Sequence, residues 1–174
     1  MMQSQFFKAS PRSHGGVLNK KKRKGRRPID TKKPLHVVMR STKATKQLSF
    51  IRHHQAIKEI LRANAERFRI SIYSWANSGN HLHLLIRGKS RGEIQNFLRT
   101  VTALIARRIT GAKKGNPFKG KFWDQLVFTR LLNSWQREFR VVMEYIDLNI
   151  HEALGLANGN ARGARGNVGA PGAG

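Results

Sequence analysis

The sequence contains no cysteine, which excludes disulfides, zinc–thiolate centres and a cysteine nucleophile. Acidic residues are scarce. Nine Asp and Glu stand against 34 Lys and Arg, a formal net charge of +25. So large an excess opposes compaction and favours polyanionic partners. Nucleic acid comes first among these, because each phosphate neutralised releases condensed counterions. Charge alone fits a ribosomal or chromatin-type binder as well as a nucleic-acid enzyme. No apolar run is long enough to span a bilayer. The charged N-terminus has no apolar segment after it, so it does not read as a secretory signal. A cytoplasmic protein with no membrane association is the expectation. Tyrosine is rare too, with only Tyr73 and Tyr145.

What is present suffices for one domain. Hydrophobic residues make up 39% of 174, enough for one core with tails. Residues 1–34 read as a disordered basic arm. The run Lys20, Lys21, Lys22, Arg23, Lys24, Arg26 and Arg27 has no apolar periodicity and repels itself. Pro28 and Pro34 interrupt any helix. Residues 157–174 are a Gly-, Ala- and Arg-rich flexible tail that cannot bury a core. The patterned domain is 35–156. Leu35–Arg40 is β-branched and predicts a strand. Residues 48–68 carry Ile51, Ile57, Ile60 and Leu61 at helical spacing. Arg69–Trp75 alternates as a strand does, Asn77–Asn80 are turn formers, and His81–Arg87 is the returning strand. Arg91–Thr110 predicts a helix, Gly111–Gly120 a basic loop, and Leu126–Leu131 a fourth strand. A last helix follows from Asn133 or Ser134 to about Asn149. The order is β-α-β-β-α-β-α. It fits an α+β, ferredoxin-like split β-α-β fold: a four-stranded antiparallel sheet with helices on one face and the other face open for a ligand.

His81 and His83 stand two apart in a predicted strand, so both point to one face with Leu85, while Leu82, Leu84 and Ile86 point to the other. Two imidazoles about 7 Å apart along a strand can converge on one divalent ion. The same spacing also fits two histidines resting on a polar sheet face. Tyr145 and Asn149 lie four apart in the last helix and share a side of it. Equally, Tyr145 fits a core aromatic and Asn149 a helix end. Glu144 points about 100° away from Tyr145, so no general base for the tyrosine is identified. Tyr73 is an alternative nucleophile. By alternation it sides with Ser71 and Trp75, and with Trp75 it fits a base-stacking platform. Lys113, Lys114, Lys119 and Lys121, with Arg107 and Arg108, read as phosphate contacts, although Arg107 and Arg108 equally fit cations at a helix C-terminus. His53 and His54 are adjacent on a helix and share no face. His36 on the first strand has no assigned role.

The strings GNHLHLLIRG, GKFWDQLVFTR and VMEYIDLN, in that order, resemble the single-tyrosine HUH transposases, in particular the branch of REP-associated tyrosine transposases. The likeness covers roughly residues 35–156. Gly79 stands where relatives often have proline. The resemblance implies that Tyr145 is the catalytic nucleophile and that His81, His83 and Asn149 ligate Mg²⁺ or Mn²⁺. Softness favours Mn²⁺ with imidazole, and cellular availability Mg²⁺. It implies cleavage and rejoining of single-stranded, hairpin-forming DNA through a covalent 5′-phosphotyrosine, that is, DNA transposition. In parts of the family two subunits exchange the tyrosine helix, so a homodimer and a lone chain are both allowed. The alternative is a non-catalytic or domesticated nucleic-acid-binding protein.

Overall fold

Alternating apolar residues build the centre of the protein, and two amphipathic helices cover it. The computed structural model describes residues 12–16, 25–132, 140, 141 and 144. Along the chain lie β1 (Ser13–His14), β2 (Leu35–Arg40), α1 (His54–Arg67), β3 (Ile70–Asn77), β4 (His81–Gly88), α2 (Arg91–Thr110) and β5 (Phe128–Leu131). The sheet order is β1-β5-β2-β4-β3, and every adjacent pair is antiparallel. The expected α+β plan is the plan the chain adopts. Leu35, Val37 and Met39 of β2 and Leu82, Leu84 and Ile86 of β4 face Ile57 and Leu61 of α1 and Ile94, Phe97, Val101 and Ile105 of α2. Each such side chain, fully buried, contributes about 1.5–3 kcal/mol.

The sheet has five strands rather than the four expected. The extra strand, β1, comes from the segment read as an unstructured arm. It pairs Ser13 with Arg130 and His14 with Thr129, so it satisfies backbone groups that an edge strand otherwise leaves unpaired. Gly15 makes the close approach feasible. Its φ is +71°, and a Cβ there would sit 2.2 Å from the Val127 carbonyl oxygen. Arg27 fastens the same region. Its Nη1 donates to the Val127 carbonyl at 3.0 Å and to Thr129 Oγ1 at 2.7 Å, and Arg91 donates to the Arg27 carbonyl at 2.6 Å. Arg27, one of the expected phosphate contacts, makes these internal bonds because a buried Thr129 hydroxyl offers it an acceptor. Arg27→Ala is expected to cost about 2 kcal/mol, seen as a lower urea midpoint, whereas Arg26→Ala, at an exposed position, should leave the midpoint in place. Equal midpoints for both variants would remove the anchor.

Several boundaries moved, and β3 runs on to Asn77, a residue expected in the turn. Helix α1 begins at His54, not near residue 48, because the chain leaves the helical path to bury Phe50. Phe50 donates its N–H to the Gly79 carbonyl at 2.8 Å and accepts from Asn77 Nδ2 at 2.7 Å. Ile51, expected in the core, is consequently 51% exposed. Helix α2 spans the expected residues and starts with a reciprocal cap between Ser90 and Glu93, which satisfies two donors of its first turn. Strand β5 starts at Phe128, two residues later than expected. Arg140, Val141 and Glu144 are helical, within the span predicted for the last helix. Among the described residues no helix is long and apolar enough to cross a membrane.

Candidate active site

The pairing of β2 with β4 decides which side chains meet. Arg40 lies opposite His81, Val38 opposite His83 and His36 opposite Leu85. Opposed residues share a face, so all six point away from the helices. Strand β5 brings Phe128 opposite Val38 and Arg130 opposite His36. His81 and His83 thus share one face, as the spacing predicts, and Leu82, Leu84 and Ile86 fill the core.

Three imidazoles stand in a row here, not two. The rings of His81 and His83 are stacked at 6.1 Å with 20° between planes. Those of His83 and His36 are stacked at 5.8 Å and 16°. Phe128 meets His36 edge-on at 6.5 Å. Reading the sequence alone missed His36. Its alternation with Leu35, Val37 and Met39 was available, but the strand pairing that sets it diagonal to His83 was not.

The face is also drier than expected. His83 is 2% exposed, His36 3% and Leu85 fully buried; only His81 of the three histidines is half-buried. The expectation of a face left open therefore does not hold around His83. Leu85, Phe128 and Ala76 sit among the histidines, and so much apolar surface gives the chain reason to cover them. Burial sets the charge state. It pushes His83 down to about 3, with His81 adding to the effect. His36 falls well below the ordinary histidine value through burial, then His83, then Arg130. His81 is lowered by burial and by Arg40, against an opposing pull from Asp124. At neutral pH all three rings are neutral, which is the form that binds a metal.

Neighbours fix His81. Its Nδ1–H donates to Asn80 Oδ1 at 2.5 Å, which leaves the lone pair on Nε2 for a ligand. Arg40 Nε lies 3.4 Å from Asp124 Oδ2. Thr42 donates to Asp124 Oδ1 from its N–H at 2.8 Å and its hydroxyl at 2.9 Å. Ser41 Oγ donates to the Phe122 carbonyl at 2.6 Å. These bonds clamp the 122–124 segment to the end of β2, beside His81. For a divalent cation the donor chemistry fits: two neutral imidazoles, one with its tautomer set. Among the described residues no third His, Cys, Asp or Glu completes such a cluster. Tyr145 and Asn149 lie outside the described residues.

The platform of Tyr73 with Trp75 does not form. The register slips between Ile72 and Ser74, and this bulge turns Trp75 to the helix side opposite Leu84. There it stacks on His54 at 4.8 Å. Tyr73 stays 39% exposed. Of the expected phosphate contacts, Arg26, Lys113, Lys114, Lys119 and Lys121 are exposed, while Lys20, Lys21, Lys22, Arg23 and Lys24 lie outside the described residues.

Comparison with known proteins gives three results. The chain matches the family of IS200-like transposases over residues 31–149. Among solved structures it is similar to a REP-associated tyrosine transposase bound to a REP hairpin, with TM-score 0.57 and 15% identity over 77% of this chain and 75% of that one. It is also similar to a protein of Deinococcus radiodurans R1 described as a transposase, with TM-score 0.43 and 19% identity over 73% of this chain and 97% of that one. No curated protein sequence matches.

Proposed function

The chain belongs to the IS200-like transposase family, and we propose that it transposes DNA by cutting and rejoining single strands through Tyr145. The observation that carries this reading is the pair of neutral, adjacent imidazoles of His81 and His83, one oriented by Asn80. The family match also runs through Tyr145 and Asn149. Tyr145 attacks the scissile phosphorus; a phosphotyrosine bond forms as the bond to the 3′ oxygen breaks, and that oxygen leaves as a hydroxyl with the tyrosine proton. One phosphate ester replaces another, so a second 3′-hydroxyl reverses the step and joins new ends without ATP.

His81, His83 and Asn149 would hold Mg²⁺ or Mn²⁺. Such an ion supplies stabilisation of charge on the attacked phosphate. The need is real, because a tyrosine hydroxyl, with its ordinary pKa of about 10, is a weak nucleophile at neutral pH. The exposed lysines 113, 114, 119 and 121, Arg26 and the Lys20–Lys24 run hold the phosphate backbone. The substrate class is hairpin-forming single-stranded DNA, by analogy with the hairpin bound to the related transposase. A cytoplasmic site of action accords with a DNA substrate and a cysteine-free chain.

The test is direct. Protein incubated with a hairpin oligonucleotide and Mn²⁺ should yield a covalent adduct that survives a denaturing gel and disappears with chelator. No adduct across a broad panel of imperfect palindromes, with metal-independent binding intact, would leave a DNA-binding protein without this chemistry.

A further inference from the structure

The end of β2 carries a charged side chain that the reaction described above does not use. Arg40 lies directly opposite His81 in the pairing of β2 with β4. Opposed residues hold their Cβ atoms about 4.5–5.5 Å apart, so the guanidinium and the half-buried imidazole are neighbours. The positive charge reaches that ring and disfavours a proton on it. The backbone here is pinned from both sides. Ser41 N–H donates to the Asn80 carbonyl at 3.0 Å, and Asp124 N–H donates to the Arg40 carbonyl at 3.1 Å.

Asp124 aims the guanidinium. Arg40 Nε lies 3.4 Å from Asp124 Oδ2, while Asp124 Oδ1 accepts from Thr42. The carboxylate therefore engages the Nε edge. Among the described residues no second acid pairs with Arg40, and its side chain stays 47% exposed. A pair so open to water adds little stability, so stability does not account for its placement. The other cations nearby are set apart from His81. Arg87 follows it by six residues on β4, about 20 Å along the strand. Arg130 sits opposite buried His36, at the far end of the ring row. Lys43 lies over the Phe118 ring at 5.1 Å.

We propose that Arg40 is a catalytic residue whose terminal nitrogens donate to a non-bridging oxygen of the scissile phosphate. The inference rests on the nuclease reading, which puts that phosphate beside His81. The attacking and leaving oxygens crowd negative charge around phosphorus in the transition state. Neutral histidines bring no charge to offset it. Arg40 does, from a position fixed before reaction by Asp124 and the strand pairing. It stays protonated throughout, so the bond changes given above are unaltered. Its planar fork fits the oxygens of a phosphate better than the point charge of a lysine.

The experiment follows single-turnover adduct formation on a hairpin oligonucleotide with saturating Mn²⁺. Arg40→Ala should be slower than wild type by about 10²–10³-fold, the scale of losing one preorganised transition-state donor. Arg40→Lys should recover part of the rate. Added guanidinium ion should speed Arg40→Ala, compared with an equal concentration of sodium, and leave wild type unchanged. Mn²⁺ affinity without DNA and circular dichroism should match wild type, because Thr42 and the Arg40 backbone still hold Asp124. An Arg40→Ala protein with the wild-type rate would overturn the proposal. So would a slow Arg40→Ala whose rate neither Arg40→Lys nor guanidinium restores. The side chain would then only support His81, with weakened Mn²⁺ binding as the sign. A wild type that forms no adduct ends the nuclease reading and this inference together. A wild type that forms it, beside an equally fast Arg40→Ala, ends this inference alone.

Discussion

Tyr145→Phe is expected to reduce covalent attachment to DNA to less than about one part in a thousand of wild type, the scale on which losing a nucleophile acts. Hairpin affinity should stay within about twofold, because a single hydroxyl adds little to binding dominated by phosphate contacts. His83→Ala should fail in a different way: Tyr145 is intact, but the site lacks one of its nitrogen donors, and added Mn²⁺ should give no recovery. Mixing the two variants separates the arrangements open to the chain. Activity returns only where one subunit's tyrosine serves another's histidines. Tyr73→Phe is the matching control, with wild-type adduct yield expected. An adduct that survives Tyr145→Phe and vanishes with Tyr73→Phe would assign the nucleophile to the exposed bulge on β3 and end the present reading.

Acid should destabilise this protein earlier than its few carboxylates account for. The folded His83 titrates near 3, below the ordinary histidine value of 6.5, and His36 is shifted the same way. Between those values the unfolded chain binds protons that the folded chain refuses. Stability is therefore full above about pH 6.5 and declines as pH falls toward 3, by an amount on the order of several kcal/mol. Once one ring of the stack is charged, its neighbour resists a second proton, and Arg130 and Arg40 add to the opposition. Urea midpoints at about pH 7.5 and 4.5, a window chosen to lie within that titration range, should differ clearly at constant m-value. A His36→Phe variant should show a shallower dependence. Midpoints that do not move between the two pH values would mean that the rings are not buried as described.

The elements were legible where periodicity was strong. The HLHLLIR strand and α2 were readable because apolar residues recur at one period over a whole element and polar ones mark the ends. The start of α1 was not, since Ile51 keeps helical spacing although Phe50 pulls the backbone off course toward Gly79. Side-chain direction on β3 failed for a related reason: a bulge adds one residue, and one residue reverses every later position. The candidate site was half legible. Spacing within one strand put His81 and His83 together, but His36 and Asp124 join them through strand pairing and loop docking, which depend on contacts distant in sequence. Arg27 illustrates the limit of composition. It sits beside a basic run and carries the same charge, yet its partners are a carbonyl and a hydroxyl on the far side of the chain.

The β1 strap has a practical consequence for anyone handling the protein. The two outer margins of the sheet are each blunted, one by Ser13–His14 lying along β5 and one by the irregularity in β3. Trimming the basic leader up to residue 34 to reduce non-specific adhesion to nucleic acid would strip the guard from β5. The shortened protein would then offer a bare row of amides and carbonyls to its neighbours, and self-association or precipitation should follow. A leader shortened only to residue 11 keeps that margin closed.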